Sequence, residues 1–279
     1  MARAVKQKPK GSRRKKSLMS RLTPIEFDDY LKINIYGRSA TGKTTFWSSF
    51  PGPILALMSS GIKKPGELRS VAVKDRKKIK QFQIQECDEV REWVDEQKET
   101  AHFKTVVLDH ASSFQDLVLA EVLGIDELPP QSSWGMAKQQ EYGQMALRMK
   151  EFLRALLGLE NCNVIIIAQE RVFVPDEDSE LDIAPYVASA VSPSVVNWLN
   201  PAADYICETF IKGKTQQKKT KVAGKTVTKT VKLKGVDYCL RTAPSEVFTT
   251  KFRKPKGFEV PEFIVDPDYD KFLKVVNGE

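Results

Sequence analysis

The sequence predicts an α/β fold in which helices flank a mostly parallel sheet, with β-hairpin additions towards the carboxyl end. Short apolar segments alternate with amphipathic helical segments through the first 170 residues, which is typical of strands buried between two helical layers. Beyond residue 200, β-branched segments and turns replace the helical pattern. With 279 residues and 41% hydrophobic content, the chain can bury a sizeable core.

The predicted elements follow one another in a regular order. The first half contains strands at 31–36, 54–58, 82–85 and 103–108, with helices at 44–50, 88–99 and 112–123, the last capped by Ser112. The second half contains a loop at 124–135, a helix at 138–157 with a buried methionine stripe, a strand at 164–168, a long loop at 169–193, strands at 203–211, 236–242 and 247–252, and a helix at 268–276.

Composition excludes several classes of protein. The longest apolar runs hold about five residues, against the ~20 that a membrane-spanning helix needs, so no membrane partner is expected. The four cysteines form no CxxC pair and there are only two histidines, which argues against a disulfide framework or a zinc cluster. Residues 1–24 lack the apolar stretch of a secretory signal, so we expect a cytoplasmic protein.

Positive charge is concentrated in two segments of a chain whose formal net charge is +8. Residues 1–22 contain nine lysines and arginines and residues 212–234 contain nine lysines, with no acid in either segment, whereas the remaining residues carry 26 cations against 36 acids. Cations grouped in this way are typical of proteins that bind a polyanion such as a nucleic acid. A solubilising tail and a solvated hairpin are the alternative interpretation.

These patterns divide the chain into three parts. We predict a disordered basic tail at 1–24, one large domain at 25–265 with a lysine-rich hairpin at 212–234, and a C-terminal segment at 266–279.

Residues 37–44 read GRSATGKT, which fits the phosphate-loop pattern GxxxxGK[ST] without a mismatch, between a predicted strand and a predicted helix. In such a loop the glycines let the backbone N–H groups wrap a phosphate, the lysine reaches the β and γ oxygens, and the final hydroxyl meets Mg²⁺. The motif therefore predicts a site for ATP and Mg²⁺, with Lys43 catalytic and Thr44 a metal ligand. Its binding residues are Gly37, Arg38, Ser39, Ala40, Thr41, Gly42, Lys43, Thr44 and Thr45.

A second magnesium-side carboxylate is expected at the end of a neighbouring strand, and Asp109 supplies it after the apolar residues 106–108. His110 follows where many mechanical ATPases carry a catalytic glutamate, which counts against an AAA+ module of that kind. We interpret His110 as a structural neighbour rather than a base.

The order of phosphate loop, Asp109, a long loop with a helix, and an apolar strand ending in Gln169 resembles the RecA/RadA ATPase core. It resembles more closely the short RecA-like ATPases of bacteriophages, which act in single-strand annealing and recombination. The resemblance covers about residues 31–263 and implies a RecA-like P-loop NTPase sheet.

The resemblance also assigns roles to the loops. It implies that Gln169 senses the γ-phosphate and passes its state to a DNA-binding loop at 170–193. The loop at 124–137 stands in the place of the family's first DNA loop, where Trp134 is a candidate for stacking on a base or for packing beneath the loop.

Late in the chain, residues 251–255 read KFRKP, similar to a family pattern whose cations reach the nucleotide of the next protomer. Lys251 and Arg253 are therefore candidate fingers acting in trans, with a basic surface strand as the alternative. The chain departs from the family after the second strand, where the family has a glutamate directly and this chain has no acid until Glu67. Glu67 is the candidate hydrolytic base and Glu86 the alternative, so we expect slow hydrolysis or a nucleotide that acts as an assembly switch.

Together these features predict an ATPase that binds single-stranded DNA in an ATP-dependent manner and acts in phage recombination or annealing, with turnover that is slow or stimulated by DNA. The expected partners are single-stranded DNA, further copies of the chain in a ring or filament, and a single-strand DNA-binding protein, in the host bacterial cytoplasm if the protein is phage-encoded. Two alternatives stay open: a P-loop helicase, loader or packaging motor, and a non-catalytic interaction protein regulated by nucleotide.

Overall fold

The computed structural model describes residues 30–59, 66–126, 128, 137–174, 184–222 and 225–279, without the side chains of 66–67 and 216–232. The predictions for the basic tail at 1–24 and for Trp134 lie outside these residues. None of the described helices is long and apolar enough to cross a bilayer.

The described residues form a nine-stranded sheet, a separate two-stranded hairpin and six α-helices. The strands are β1 Lys32–Gly37, β2 Ile54–Met58, β3 Ile79–Gln83, β4 Thr105–Asp109, β5 Asn163–Ala168, β6 Glu170–Phe173, β7 Tyr186–Ser189, β8 Tyr205–Val222, β9 Lys225–Arg241, β10 Lys251–Phe252 and β11 Phe263–Val265. The helices are α1 Lys43–Trp47, α2 Glu89–Thr100, α3 Ala111–Leu123, α4 Gln139–Leu157, α5 Pro193–Ala202 and α6 Tyr269–Asn277.

The large sheet has the strand order β11-β9-β8-β1-β5-β4-β2-β3, and β10 also pairs with β8. The six strands from β8 to β3 are mutually parallel, whereas β9 and β10 run antiparallel to β8 and β11 runs antiparallel to β9. This arrangement confirms the predicted α/β fold. Because β5 lies between β1 and β4, the residue after β5 is placed between the residues that follow β1 and β4.

Apolar side chains cover both faces of the parallel strands. One face packs against α2, α3, α4 and α5, where the Met145 and Met149 side chains are fully buried, as the methionine stripe predicts. The other face packs against α1 and α6. Phe272 of α6 is fully buried there, with its ring centroid 5.6 Å from that of Phe46. The C-terminal helix is therefore part of the core of the sheet.

Several predicted boundaries were wrong. The third strand begins at Ile79, and Ser112 does not cap α3, since its Oγ accepts a hydrogen bond from the backbone N–H of Gln169 at 3.2 Å. The predicted loop at 169–193 contains the β6–β7 hairpin, and the predicted strand at 247–252 is only the two-residue β10. The helix α5 was not predicted.

The strands β8 and β9 form one long hairpin. Their pairing runs from Glu208 with Arg241 to Val222 with Lys225, with an irregularity between Gly213 and Thr215. The lysine-rich segment 212–234 makes up the part beyond the parallel sheet, which we call the lysine ribbon.

Candidate nucleotide site

Residues 37–44, the P-loop, turn sharply between β1 and α1. Gly37 has φ +152°, and a Cβ there would lie 2.4 Å from the Thr209 carbonyl oxygen, so only glycine fits. Gly42, with φ +93°, precedes α1 in the left-handed region that glycine favours. The backbone thus forms the cradle for a phosphate that the motif predicts.

Lys43 lies folded over this loop. Its Nζ donates hydrogen bonds to the carbonyl oxygens of Gly37 at 2.7 Å and Arg38 at 2.6 Å. When a nucleotide binds, phosphate oxygens can replace these two carbonyls as acceptors for the ammonium group. The ammonium would then neutralise charge on the β and γ phosphates.

Hydroxyl groups fix the P-loop to the neighbouring strand β8. Thr41 Oγ1 donates to the carbonyl of Arg38 at 2.8 Å and lies 2.6 Å from Thr209 Oγ1. Thr209 also pairs with Gly37 in the β1–β8 register. The loop is therefore bonded directly to the strand that continues into the lysine ribbon.

Asp109 lies at the carboxyl end of β4, with only 2% of its surface exposed. Its Oδ2 lies 3.3 Å from the indole Nε1 of Trp47 on α1, and its Oδ1 lies 3.6 Å from Nε2 of His110. The indole therefore links this carboxylate to the helix that the P-loop opens.

Thr44 and Asp109 fit Mg²⁺ by their donor chemistry, because a hydroxyl and a carboxylate are the oxygen ligands that this ion prefers. The described residues contain no group of three or more His, Cys, Asp or Glu side chains that would hold a metal by itself. Thr44 and Asp109 would hold the ion, which would neutralise the charge that develops on the phosphates during hydrolysis.

Gln169 follows β5 and therefore lies between the P-loop and Asp109. Its Nε2 is 3.4 Å from Nδ1 of His110. The structure thus brings Gln169, His110 and Asp109 together, as the order of motifs predicts for Gln169 and Asp109.

A cleft of about 430 Å³ opens above the P-loop. It is lined by Ser39, Ala40, Gly42, Lys43, Thr44, Thr45, Ser70, His110, Gln169 and Tyr238. The sequence analysis did not identify Ser70 or Tyr238. The only signal for Tyr238 is that it lies within the predicted strand at 236–242.

Arg38 lies on the outer side of the loop, with its side chain 81% exposed. Its Nε donates to Oε1 of Glu170 at 2.7 Å, and this hydrogen bond raises the pKa of Arg38. Exposed pairs contribute little stability, so the contact is notable for its position. It joins the P-loop to the first residue of β6, directly after Gln169.

The candidate trans fingers lie away from this cleft. Lys251 pairs with Ile206 near the start of β8, whereas the P-loop lies beside Thr209 further along that strand. Its Nζ donates to three carbonyl oxygens at the end of α5, and desolvation lowers the pKa of Lys251. Arg253 forms an ion pair with Asp204 at 2.9 Å. A role in a neighbouring copy stays a prediction for both residues.

The hydrolytic base also stays a prediction. Glu67 belongs to a short 3₁₀ helix, Gly66–Ser70, whose last residue lines the cleft, but its side chain lies outside the described part. Glu86 is exposed and does not line the cleft; its backbone N–H donates to Glu89 at the start of α2.

The fold and the cleft together define a P-loop ATPase. The family described as AAA domain matches residues 29–254, which is well over half of the chain, so the protein belongs to this family of AAA-type P-loop ATPases. The match confirms the predicted ATPase core and shows that His110 after Asp109 does not exclude an AAA-type ATPase. A search of curated proteins found no match.

Proposed function

We propose that this ATPase binds single-stranded DNA in an ATP-dependent, RecA-like manner and acts in phage recombination or strand annealing. One observation carries the proposal: the strand bonded to the P-loop is also the strand that becomes the lysine ribbon. From Thr209 to Val222 this strand spans about 43 Å at ~3.3 Å per residue. A change in P-loop conformation when the nucleotide binds can therefore be transmitted along one continuous strand to the lysine ribbon.

The β6–β7 hairpin has side chains of the kind that bind unpaired bases. The rings of Phe173 and Tyr186 are stacked, with centroids 5.1 Å apart, and the Arg171 guanidinium lies 5.4 Å from the Phe173 centroid. Aromatic rings beside a cation are typical of sites where unpaired bases stack. This hairpin starts directly after Gln169, so the proposed γ-phosphate sensor and a proposed nucleic-acid surface are adjacent in the chain.

Each residue of the nucleotide site has its own role in the proposed reaction. The P-loop backbone and Lys43 bind and orient the triphosphate, and Thr44 with Asp109 holds the metal. Gln169 responds to the terminal phosphate and shifts β6, whose Glu170 is bonded to Arg38. Because binding linkage is reciprocal, DNA that favours the nucleotide-bound arrangement raises the affinity for ATP by the same factor.

The salt dependence of DNA binding tests the ribbon. Each phosphate contact on a single strand contributes about −0.7 to the slope of log K against log salt. If five ribbon lysines contact phosphates, replacing them with glutamine makes the slope shallower by about 3.5. The variant carries K218Q, K219Q, K221Q, K225Q and K229Q, and its matched control carries K74Q, K77Q, K80Q, K98Q and K256Q at exposed lysines elsewhere.

The slope should be measured by fluorescence anisotropy on a labelled oligo(dT). An unchanged slope in the ribbon variant, or an equal change in the control, would contradict a DNA-binding ribbon. Affinity for Mg-ATP without DNA should be the same in both variants and wild type, because neither set includes a cleft residue.

A second function is favoured by the chemistry of the cleft. Among the residues that line it in the described structure, none carries a carboxylate that could serve as a base. A nucleotide-regulated DNA-binding protein without turnover is therefore the second candidate. Phosphate release from Mg-ATP, measured with and without oligo(dT), separates the two functions.

A further inference from the structure

We propose that Tyr238 is the residue on which the base of the bound nucleotide stacks, so that a strand of the lysine ribbon's own hairpin forms the base subsite. The inference rests on the proposed nucleotide function and deepens it. The P-loop motif defines where the phosphates bind, and the inference adds where the base binds.

The strand order fixes which end of the cleft receives the base. Gln169 and His110 follow β5 and β4, on one side of the P-loop strand β1. Tyr238 lies on β9, which is two strands away on the other side of β1. Asp109, the proposed metal ligand, shares the first side, so the terminal phosphate points there. The ribose and base then extend towards β8 and β9.

The Tyr238 ring lies directly beside the P-loop. A Cβ built on Gly42 would lie 3.3 Å from Cδ1 of Tyr238, so the ring is in contact with the turn that cradles the phosphates. The residue nevertheless remains 41% exposed while lining the cleft. A flat ring that is partly exposed towards the cleft can accept another flat ring.

The surroundings of this tyrosine favour an apolar ligand. Tyr238 pairs with Ile211, and Val236 lies two residues earlier on the same face of β9. Ile211 and Val236 are each 43% exposed, which leaves a small apolar surface beside a phosphate cradle. Within a nucleotide, the base is the part that such a surface recognises.

This geometry points to recognition by stacking, which tolerates any base but favours the larger purine surface. Purine triphosphates should therefore bind more tightly than pyrimidine triphosphates. Most of that difference should disappear when the ring is removed.

The test compares Tyr238→Ala with Tyr238→Phe, which keeps the ring. Isothermal titration calorimetry should be performed with Mg-ATP, Mg-CTP and magnesium tripolyphosphate, which has the phosphates but no base. Stacking on one aromatic ring corresponds to about 5- to 150-fold in affinity. We expect that loss for ATP with Tyr238→Ala, near wild-type affinity with Tyr238→Phe, and unchanged tripolyphosphate affinity in both variants.

Two outcomes would overturn the inference without affecting the nucleotide site. Unchanged ATP affinity in Tyr238→Ala would show that the ring does not contact the base. An equal loss for ATP and tripolyphosphate would show that Tyr238 only supports the P-loop. If the wild-type protein bound neither ligand, the proposed nucleotide function itself would fail, and the inference with it.

Discussion

Replacing Lys251 with alanine should destabilise the protein without specifically impairing the nucleotide site. The Lys251 ammonium binds the carbonyl oxygens of Asn200 at 3.0 Å, Pro201 at 2.9 Å and Ala203 at 2.6 Å. The last carbonyls of a helix lack intrahelical partners, and a cation near them is favourable. Lys251 therefore closes the end of α5 and ties it to β10.

The magnitude follows from these three bonds. A hydrogen bond to a charged group contributes about 1.5–3 kcal/mol. One ammonium shares its charge among three carbonyls, and water can replace part of what alanine removes, so we expect a net loss of about 2–3 kcal/mol. For a chain of this size that corresponds to a melting temperature roughly 3–5 °C lower.

Thermal unfolding and ATP turnover per folded molecule should be measured together, with Lys256→Ala as the control at an exposed lysine of the same segment. We expect a lower melting temperature for Lys251→Ala but not for Lys256→Ala, and unchanged turnover in both variants. A mixing experiment provides the refutation. In this experiment the Lys251→Ala protein is mixed with the Lys43→Ala protein. If Lys251→Ala melts like the wild type but is inactive, and the mixture regains turnover, Lys251 acts in the nucleotide site of a neighbouring copy.

Three further substitutions test separate parts of the account. Lys43→Ala removes the ammonium above the P-loop and should weaken Mg-ATP binding by about 30-fold or more with an unchanged circular dichroism spectrum; near wild-type affinity would contradict the site. Gln169→Ala should leave ATP affinity within about threefold in calorimetry but abolish stimulation of turnover by oligo(dT), because we propose that Gln169 senses the terminal phosphate; persistent stimulation would exclude a sensor role. Phe272→Ala should lower the free energy of unfolding in urea by about 3–5 kcal/mol, since its ring is fully buried against Phe46; a loss below about 1 kcal/mol would contradict the packing of α6.

The central strands were predictable because burial on both faces makes them short apolar runs. Strands β2 and β5 agree with the sequence prediction to within a residue. The edge strand β3 was misplaced because Lys80 and Gln81 are exposed there and break the apolar pattern. Helix α5 was missed because Pro193 and Pro201 suggest a loop, although proline is tolerated in the first turn of a helix.

The phosphate end of the site was predictable because its residues form one contiguous motif. Asp109 and Gln169 could also be placed, since both directly follow apolar strands that the parallel sheet brings to one edge. Tyr238 could not be found in this way, because its contact with Gly42 depends on the register of the β8–β9 hairpin. Lys251 was assigned from a short basic pattern, whereas its contacts depend on α5, which the sequence did not reveal.

The central claim is that nucleotide at the P-loop and single-stranded DNA on the lysine ribbon influence each other. Its most direct test is the rate of phosphate release from Mg-ATP, measured with and without saturating oligo(dT), for the wild type and the five-lysine ribbon variant. We expect that DNA changes the wild-type rate and that the variant keeps the basal rate without responding to the same DNA concentration. A wild-type rate and an ATP affinity that are both identical with and without DNA would contradict it.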